Sequence, residues 1–192
     1  RSDSLKKEKV SAKIKKQKYR SMSVGTTGAY AVMRLNTFSK GSLRQFFHST
    51  FRELDQKKIP ALIIDLRYNG GGKVALSTLL TKYIVKQPFR IADSCYTRAR
   101  SLRPYSRHFK KPWTINLGMV LMSTFRKNGA FHIANYEHKD LHPKRKHHYD
   151  GDVYLLVAGP TFSASTLFAN AVKDQDNITI IGEETGGDRK ST

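Results

Sequence analysis

The chain has 192 residues, 39% of them hydrophobic and 10% aromatic, enough for one domain with a sizeable core and too apolar for a disordered chain. Its formal net charge is +20, which invites a nucleic-acid or anionic-surface reading. A single cysteine, Cys95, excludes an internal disulfide and a cysteine-rich metal site, and no run reaches the ~18 apolar residues of a membrane helix.

The charge is unevenly spread. Residues 1–20 hold nine Lys/Arg against Asp3 and Glu8, and residues 98–111 hold six with no acid. Residues 1–27 read as a basic linker or leading helix, a solvated charge run rather than a nucleic-acid arm. The first residue is Arg1 rather than Met, the expectation for a processed or truncated product.

Ala29–Leu35 (AYAVMRL) reads as a strand. Asn36–Gly41 is a turn, and Ser42 with Gln45 has the spacing of a capping box at a helix start. Leu43, Phe46, Phe47, Phe51 and Leu54 then recur at helical spacing. After Pro60, Ala61–Leu66 (ALIIDL) is a buried-strand run that ends in Arg67-Tyr68-Asn69-Gly70-Gly71-Gly72. A second helical pattern follows in Val74, Leu76, Leu79, Leu80, Tyr83 and Ile84. This β–α–β–α order with short connections predicts an α/β domain with a largely parallel sheet and flanking helices.

The middle is less regular. Phe89–Tyr96 reads as a strand, Thr97–Pro112 as exposed and basic, Trp113–Phe125 as weakly helical, and Gly129–Tyr136 as a strand. A basic loop, Pro143–His148, leads to the next buried run. Residues from about 97 to 150 therefore read as an insertion in a core spanning 28–192. The histidines His132, His138, His142, His147 and His148 lie among basic residues with no H-E-x-x-H pattern. They are expected at the surface rather than as metal ligands.

Val153–Ala158 is again a short apolar run. It breaks at Gly159-Pro160, and Leu167, Phe168, Ala171 and Val172 resume at helical spacing. Between them stand Ser163, Ala164 and Ser165, where a strand turns into a helix and points free N–H groups forward. The chain thus uses one device twice: buried strand, small-residue turn, helix. If the two strands are parallel, both turns leave the same sheet edge. An N–H from the glycine loop and the N–H of Ala164 then face one carbonyl oxygen, an oxyanion hole worth about 3 kcal/mol per donor, with Ser163 beside the carbonyl carbon. Each half has a plainer explanation, a glycine turn and a serine N-cap. NGGGK lacks the G-x-x-x-x-G-K-[ST] spacing of a phosphate loop.

Three segments, ALIIDLRYNGGG (61–72), FSASTL (162–167) and IIGEETGG (180–187), together resemble the carboxy-terminal processing, or tail-specific, serine proteases, a family that includes the tricorn core and the interphotoreceptor retinoid-binding repeats. The resemblance covers about residues 28–187 in the family's order. The insertion is most similar to envelope enzymes of Bacteroidetes-type bacteria. It implies a ClpP/crotonase-like ββα superhelix and a serine endopeptidase that needs no metal or cofactor. By position, Ser163 falls on the nucleophile, with Ser165 the rival hydroxyl where relatives tolerate alanine. Gly71, Gly72 and Ala164 fall on backbone positions shaping the oxyanion hole, Asp174 on a supporting carboxylate and Thr185 on a motif threonine.

The pattern departs at the general base. The processing branch places a Lys two residues beyond Gly-Glu-x-Thr; here Asp188 stands there, and Lys190 is two positions out of register. The expected base is a His from an upstream domain of the same protein, oriented by Glu183 or Glu184. The expected partners are a polypeptide substrate and that upstream domain, in a bacterial cell envelope or periplasm, with peripheral or anchored membrane association compatible. The alternative is a non-catalytic ligand- or peptide-binding module on the same fold. A nucleic-acid binder is disfavoured, since no reader motif is present and aromatics are not interleaved with the basic runs.

Overall fold

The computed structural model describes residues 17–92, 95–103, 105–110, 112–123, 125–133 and 140–187. The leading segment to residue 16, His138, Asp188 and Lys190 lie outside these residues. The chain divides into two compact units, Arg1–Phe89 together with His142–Thr192, and Arg90–Leu141.

The first unit is built on a five-stranded sheet. Its strands are β1 (Arg20–Val24), β2 (Tyr30–Leu35), β3 (Ala61–Asp65), β7 (Asp152–Val157) and β8 (Ile178–Gly182), side by side in that order. β1 runs antiparallel to β2, and every other neighbouring pair is parallel. The register aligns Ala31, Leu62, Val153 and Ile178 in one row and Met33, Ile64 and Leu155 in the next. All seven are buried. One sheet face is therefore continuous apolar surface, as a covered parallel sheet requires.

Helices α1 (Leu43–Lys57), α2 (Val74–Ile84) and α4 (Ala164–Val172) supply the cover. α1 packs on α2 and α2 on α4. Phe47, Phe51 and Leu54 from α1, Leu80, Tyr83 and Ile84 from α2, and Phe168 and Val172 from α4 are buried. Phe51 stacks on Tyr83 at 4.4 Å between ring centres. α1 begins where the sequence places it, but without the capping box: Ser42 is left-handed (φ 52°) and makes no side-chain cap hydrogen bond. β1 lies inside the stretch read as a linker; Ser21 and Ser23 alternate with Met22 and Val24, and pairing with β2 makes the strand.

The second unit contains a three-stranded antiparallel sheet, with β6 (Ala130–His132) between β4 (Tyr96–Thr97) and β5 (Phe125–Lys127), and helix α3 (Pro112–Met122). β5 and β6 are joined by Asn128-Gly129 with both φ values positive (49° and 77°), the geometry of a tight hairpin turn. Arg100 donates to the Val120 carbonyl at 2.8 Å and to Ser123 Oγ at 2.9 Å. That puts a cation at the carboxyl end of α3, where the helix dipole favours it. No helix among the described residues is long and apolar enough to cross a membrane.

Candidate active site

Parallel β2, β3, β7 and β8 release their following loops at one sheet edge, the usual place for a site in such a sheet. Near the end of β3, Asp65 is 3% exposed. It accepts hydrogen bonds from the Arg67 guanidinium at 2.9 and 3.0 Å, from the Arg67 N–H and from Arg34. The Arg67 hydrogen bond is the main cause that holds this carboxyl below the usual carboxylate range, against the opposing pull of burial. The ion pairs fix how the chain leaves the sheet.

The glycine loop is then stitched to both neighbours. Asn69, fully buried, accepts the Gly71 N–H on Oδ1 at 2.9 Å and the Phe162 N–H on its backbone carbonyl at 3.2 Å. The Gly71 carbonyl accepts the Phe38 N–H at 2.8 Å from the loop after β2. Thr161, also fully buried, donates its hydroxyl to the Leu66 carbonyl at 2.9 Å and accepts the Ala158 N–H at 3.0 Å. Asn69 and Thr161 thus hold the two loops together. The sequence reading passed over both. For Asn69 the available signal is an Asx-type residue in the turn after a strand, immediately before three glycines.

The loops touch. A Cβ added to Gly71 (φ +98°) would stand 2.6 Å from the Phe162 carbonyl oxygen, 2.8 Å from Ser163 Cβ and 3.0 Å from the Ala164 nitrogen. Gly72 (φ +141°) is pressed as closely on Phe38 and Ser39. These glycines are required by close approach and by conformation alike.

Ser163 adopts φ 56°, ψ −120°, immediately before α4 begins at Ala164. A non-glycine residue there is strained by about 1–3 kcal/mol, and such strain at a strand-to-helix turn is how some hydrolases present a nucleophile. Its side chain is exposed and makes no cap hydrogen bond, so the plain N-cap explanation is not realised. Ser165, the second residue of α4, is fully buried, and its Oγ has no hydrogen-bond partner among the described residues. Of the two hydroxyls, only that of Ser163 faces solvent.

The donors sort themselves by what is already engaged. Gly71 N–H is committed to Asn69. The N–H groups of Gly72 and Ala164 have no acceptor among the described residues. The Gly71 N–H is thus engaged, while those of Gly72 and Ala164 are not.

The third motif reaches the same place. Thr185 is buried, with its hydroxyl 3.4 Å from Thr166 Oγ1 in the first turn of α4. Gly186 N–H donates to the Gly159 carbonyl at 3.0 Å. Glu183 and Glu184 are exposed on that loop. Asp174 is not brought in. It lies past the carboxyl end of α4, exposed, with nine helical residues, about 14 Å, between it and Ser163.

Two of the histidines, His147 and His148, lie elsewhere in the first unit. His147 Nδ1 is 3.3 Å from Asp55, and His148 lies 2.8 Å from both Asp150 and the Val85 carbonyl. Both are half-buried rather than free on the surface, and they sit just before β7, at the opposite edge of the sheet from Ser163. Among the described residues no group of three or more His, Cys, Asp or Glu could hold a metal ion.

Residues 29–192 match the sequence profile of peptidase family S41. Among solved structures, a Parabacteroides merdae protein assigned as a peptidase aligns over 88% of this chain and 44% of its own, at TM-score 0.58 and 18% identity. Mature CPAF in complex with lactacystin aligns over 82% and 38%, at 0.58 and 16%. The photosystem II D1 carboxy-terminal processing protease aligns over 86% and 36%, at 0.53 and 17%. At these identities the likeness is one of fold, and the chain spans less than half the length of each.

Proposed function

The chain belongs to peptidase family S41, and on that premise we propose that it is the core of a serine endopeptidase with Ser163 as nucleophile. The observation that carries this reading is the backbone of Ser163: strained, exposed, at a helix start, and in van der Waals contact with the glycine loop. Ser163 Oγ attacks the scissile carbonyl carbon and its proton passes to a base. The carbonyl oxygen becomes an oxyanion between the Gly72 and Ala164 N–H groups, each worth about 3 kcal/mol in the transition state. Collapse expels the amine with that proton and leaves an acyl ester on Ser163; water then releases the acid.

Gly71 positions the hydroxyl by its lack of a side chain, Asn69 and Thr161 hold the loops in register, and Thr185 buttresses the first turn of α4. Exposed Tyr68 and Phe162 offer apolar contact to a polypeptide bound in extended form, whose backbone hydrogen bonds carry most of the affinity. The base comes from a further segment of the same protein, a His in our reading, with Glu183 or Glu184 orienting it. The setting is a bacterial cell envelope or periplasm. Asp174 is too distant to touch substrate in this arrangement.

A fluorophosphonate, whose phosphorus is attacked by an activated serine with loss of fluoride, tests this on the full-length protein. We expect labelling that is lost in Ser163→Ala and kept in Ser165→Ala. Labelling that survives Ser163→Ala removes the assignment, and a parent protein that does not label favours the non-catalytic binding module.

A further inference from the structure

A cavity of about 480 Å³ opens beside the glycine loop. Its walls are the loop after β2 and the first turns of α1 and α2. The polar lining is Ser39, Lys40, Ser42, Arg44, Gln45 and Lys73, with no acidic residue. None of the three cations has a carboxylate partner among the described residues. Lys40 lies 5.8 Å from the Tyr19 ring, a contact that leaves its charge uncompensated. Three like charges around one concavity repel one another by up to about 1 kcal/mol per close pair even in water. The first turns of α1 and α2 carry no acid to offset them. An anion placed there gains from every wall.

The cavity's place in the fold says what kind of anion. Lys73 directly follows Gly72, and Ser39 is pressed on Gly72, while Gly71 touches Ser163 on the other side. An extended peptide advances about 3.3 Å per residue, so a substrate that runs from Ser163 across the glycine loop reaches the cavity within a few residues of its scissile bond. Three cations around one concavity suit a compact anion, whereas a nucleic-acid backbone needs a track of phosphate contacts. Arg44 adds a planar fork matched to a carboxylate.

We propose that this cavity is a specificity subsite for an acidic side chain, Asp or Glu, lying within about three residues of the bond cut. The proposal rests on Ser163 being the nucleophile, and its test separates the two. In the full-length Ser163→Ala protein, binding of fluorescent Ala-rich decapeptides carrying Asp or Asn at successive positions is compared. One position is expected at which Asp binds about tenfold more tightly than Asn, a preference that shrinks with added salt. It should fall towards unity in Arg44→Gln with Lys40→Gln and shrink only in part in Arg44→Lys, which keeps the charge and removes the planar fork. Equal binding of Asp and Asn peptides at every position, or a preference untouched by the Gln changes, overturns the subsite. A parent protein that labels at Ser163 without any Asp preference overturns the subsite alone. One that fails to label overturns the nucleophile, and the binding comparison still decides the cavity.

Discussion

Gly71 is the residue at which local geometry and chemistry meet most tightly. Its φ of +98° is one that L side chains rarely adopt, and the space a methyl group needs is taken by Phe162 O and Ser163 Cβ. Gly71→Ala is expected to cost about 2 kcal/mol of stability and to lower the fluorophosphonate labelling rate at least tenfold, read by thermal melt and by rate. Asn69→Ala, which strands the Gly71 N–H, should cost about 1–3 kcal/mol and slow labelling in the same direction. If both variants melt lower yet label at the parent's rate, the loops do not position Ser163. At this scale the sequence was legible where a motif is written in residue types. Ser163 beside Ala164 and three successive glycines are visible in one dimension. That the Gly71 amide is spent on Asn69, leaving that of Gly72 unengaged, depends on a side-chain torsion that no spacing encodes.

Strands and helices were legible in proportion to their apolar periodicity. Ala61–Asp65 and the start of α1 are legible to within a residue, because long buried runs leave few alternatives. β1 was missed because RSMSV carries little hydrophobic signal of its own and becomes a strand through β2. The helical reading of Trp113–Phe125 takes in the first residue of β5 and leaves the strand unread, although Asn128-Gly129, a strong hairpin signal, directly follows Lys127. Distal contacts such as Asp65 with Arg34 are set by strand register, which the sequence does not state.

Asp65 also gives the sheet edge a pH dependence. Its carboxyl is held below its ordinary range in the folded state, mainly by Arg67. The resulting stabilisation is complete above the unfolded value of about 3.9 and is lost as pH falls through the folded one. Since Arg34 and Arg67 are about half exposed, the contribution is about 1–2 kcal/mol. Asp65→Asn should therefore melt lower at pH 7, with the gap closing below about pH 4. A gap that is constant from pH 7 to pH 3 would show that the ion pairs contribute nothing.

At the scale of the whole molecule, two parts of one chain separated by about ninety residues must meet for Ser163 to have an oxyanion hole, and parallel β3 and β7 bring them together. The net charge of +20 gives the molecule a field that attracts anionic partners at long range, in keeping with an acid-selective subsite. The most direct measurement is a crystal structure of the full-length protein with a peptide boronic acid, whose boron becomes tetrahedral on the attacking hydroxyl. The account predicts boron bonded to Ser163 Oγ and one boronate oxygen about 3 Å from both the Gly72 and Ala164 nitrogens. Boron bonded to another hydroxyl, or a boronate oxygen turned away from both amides, would contradict it.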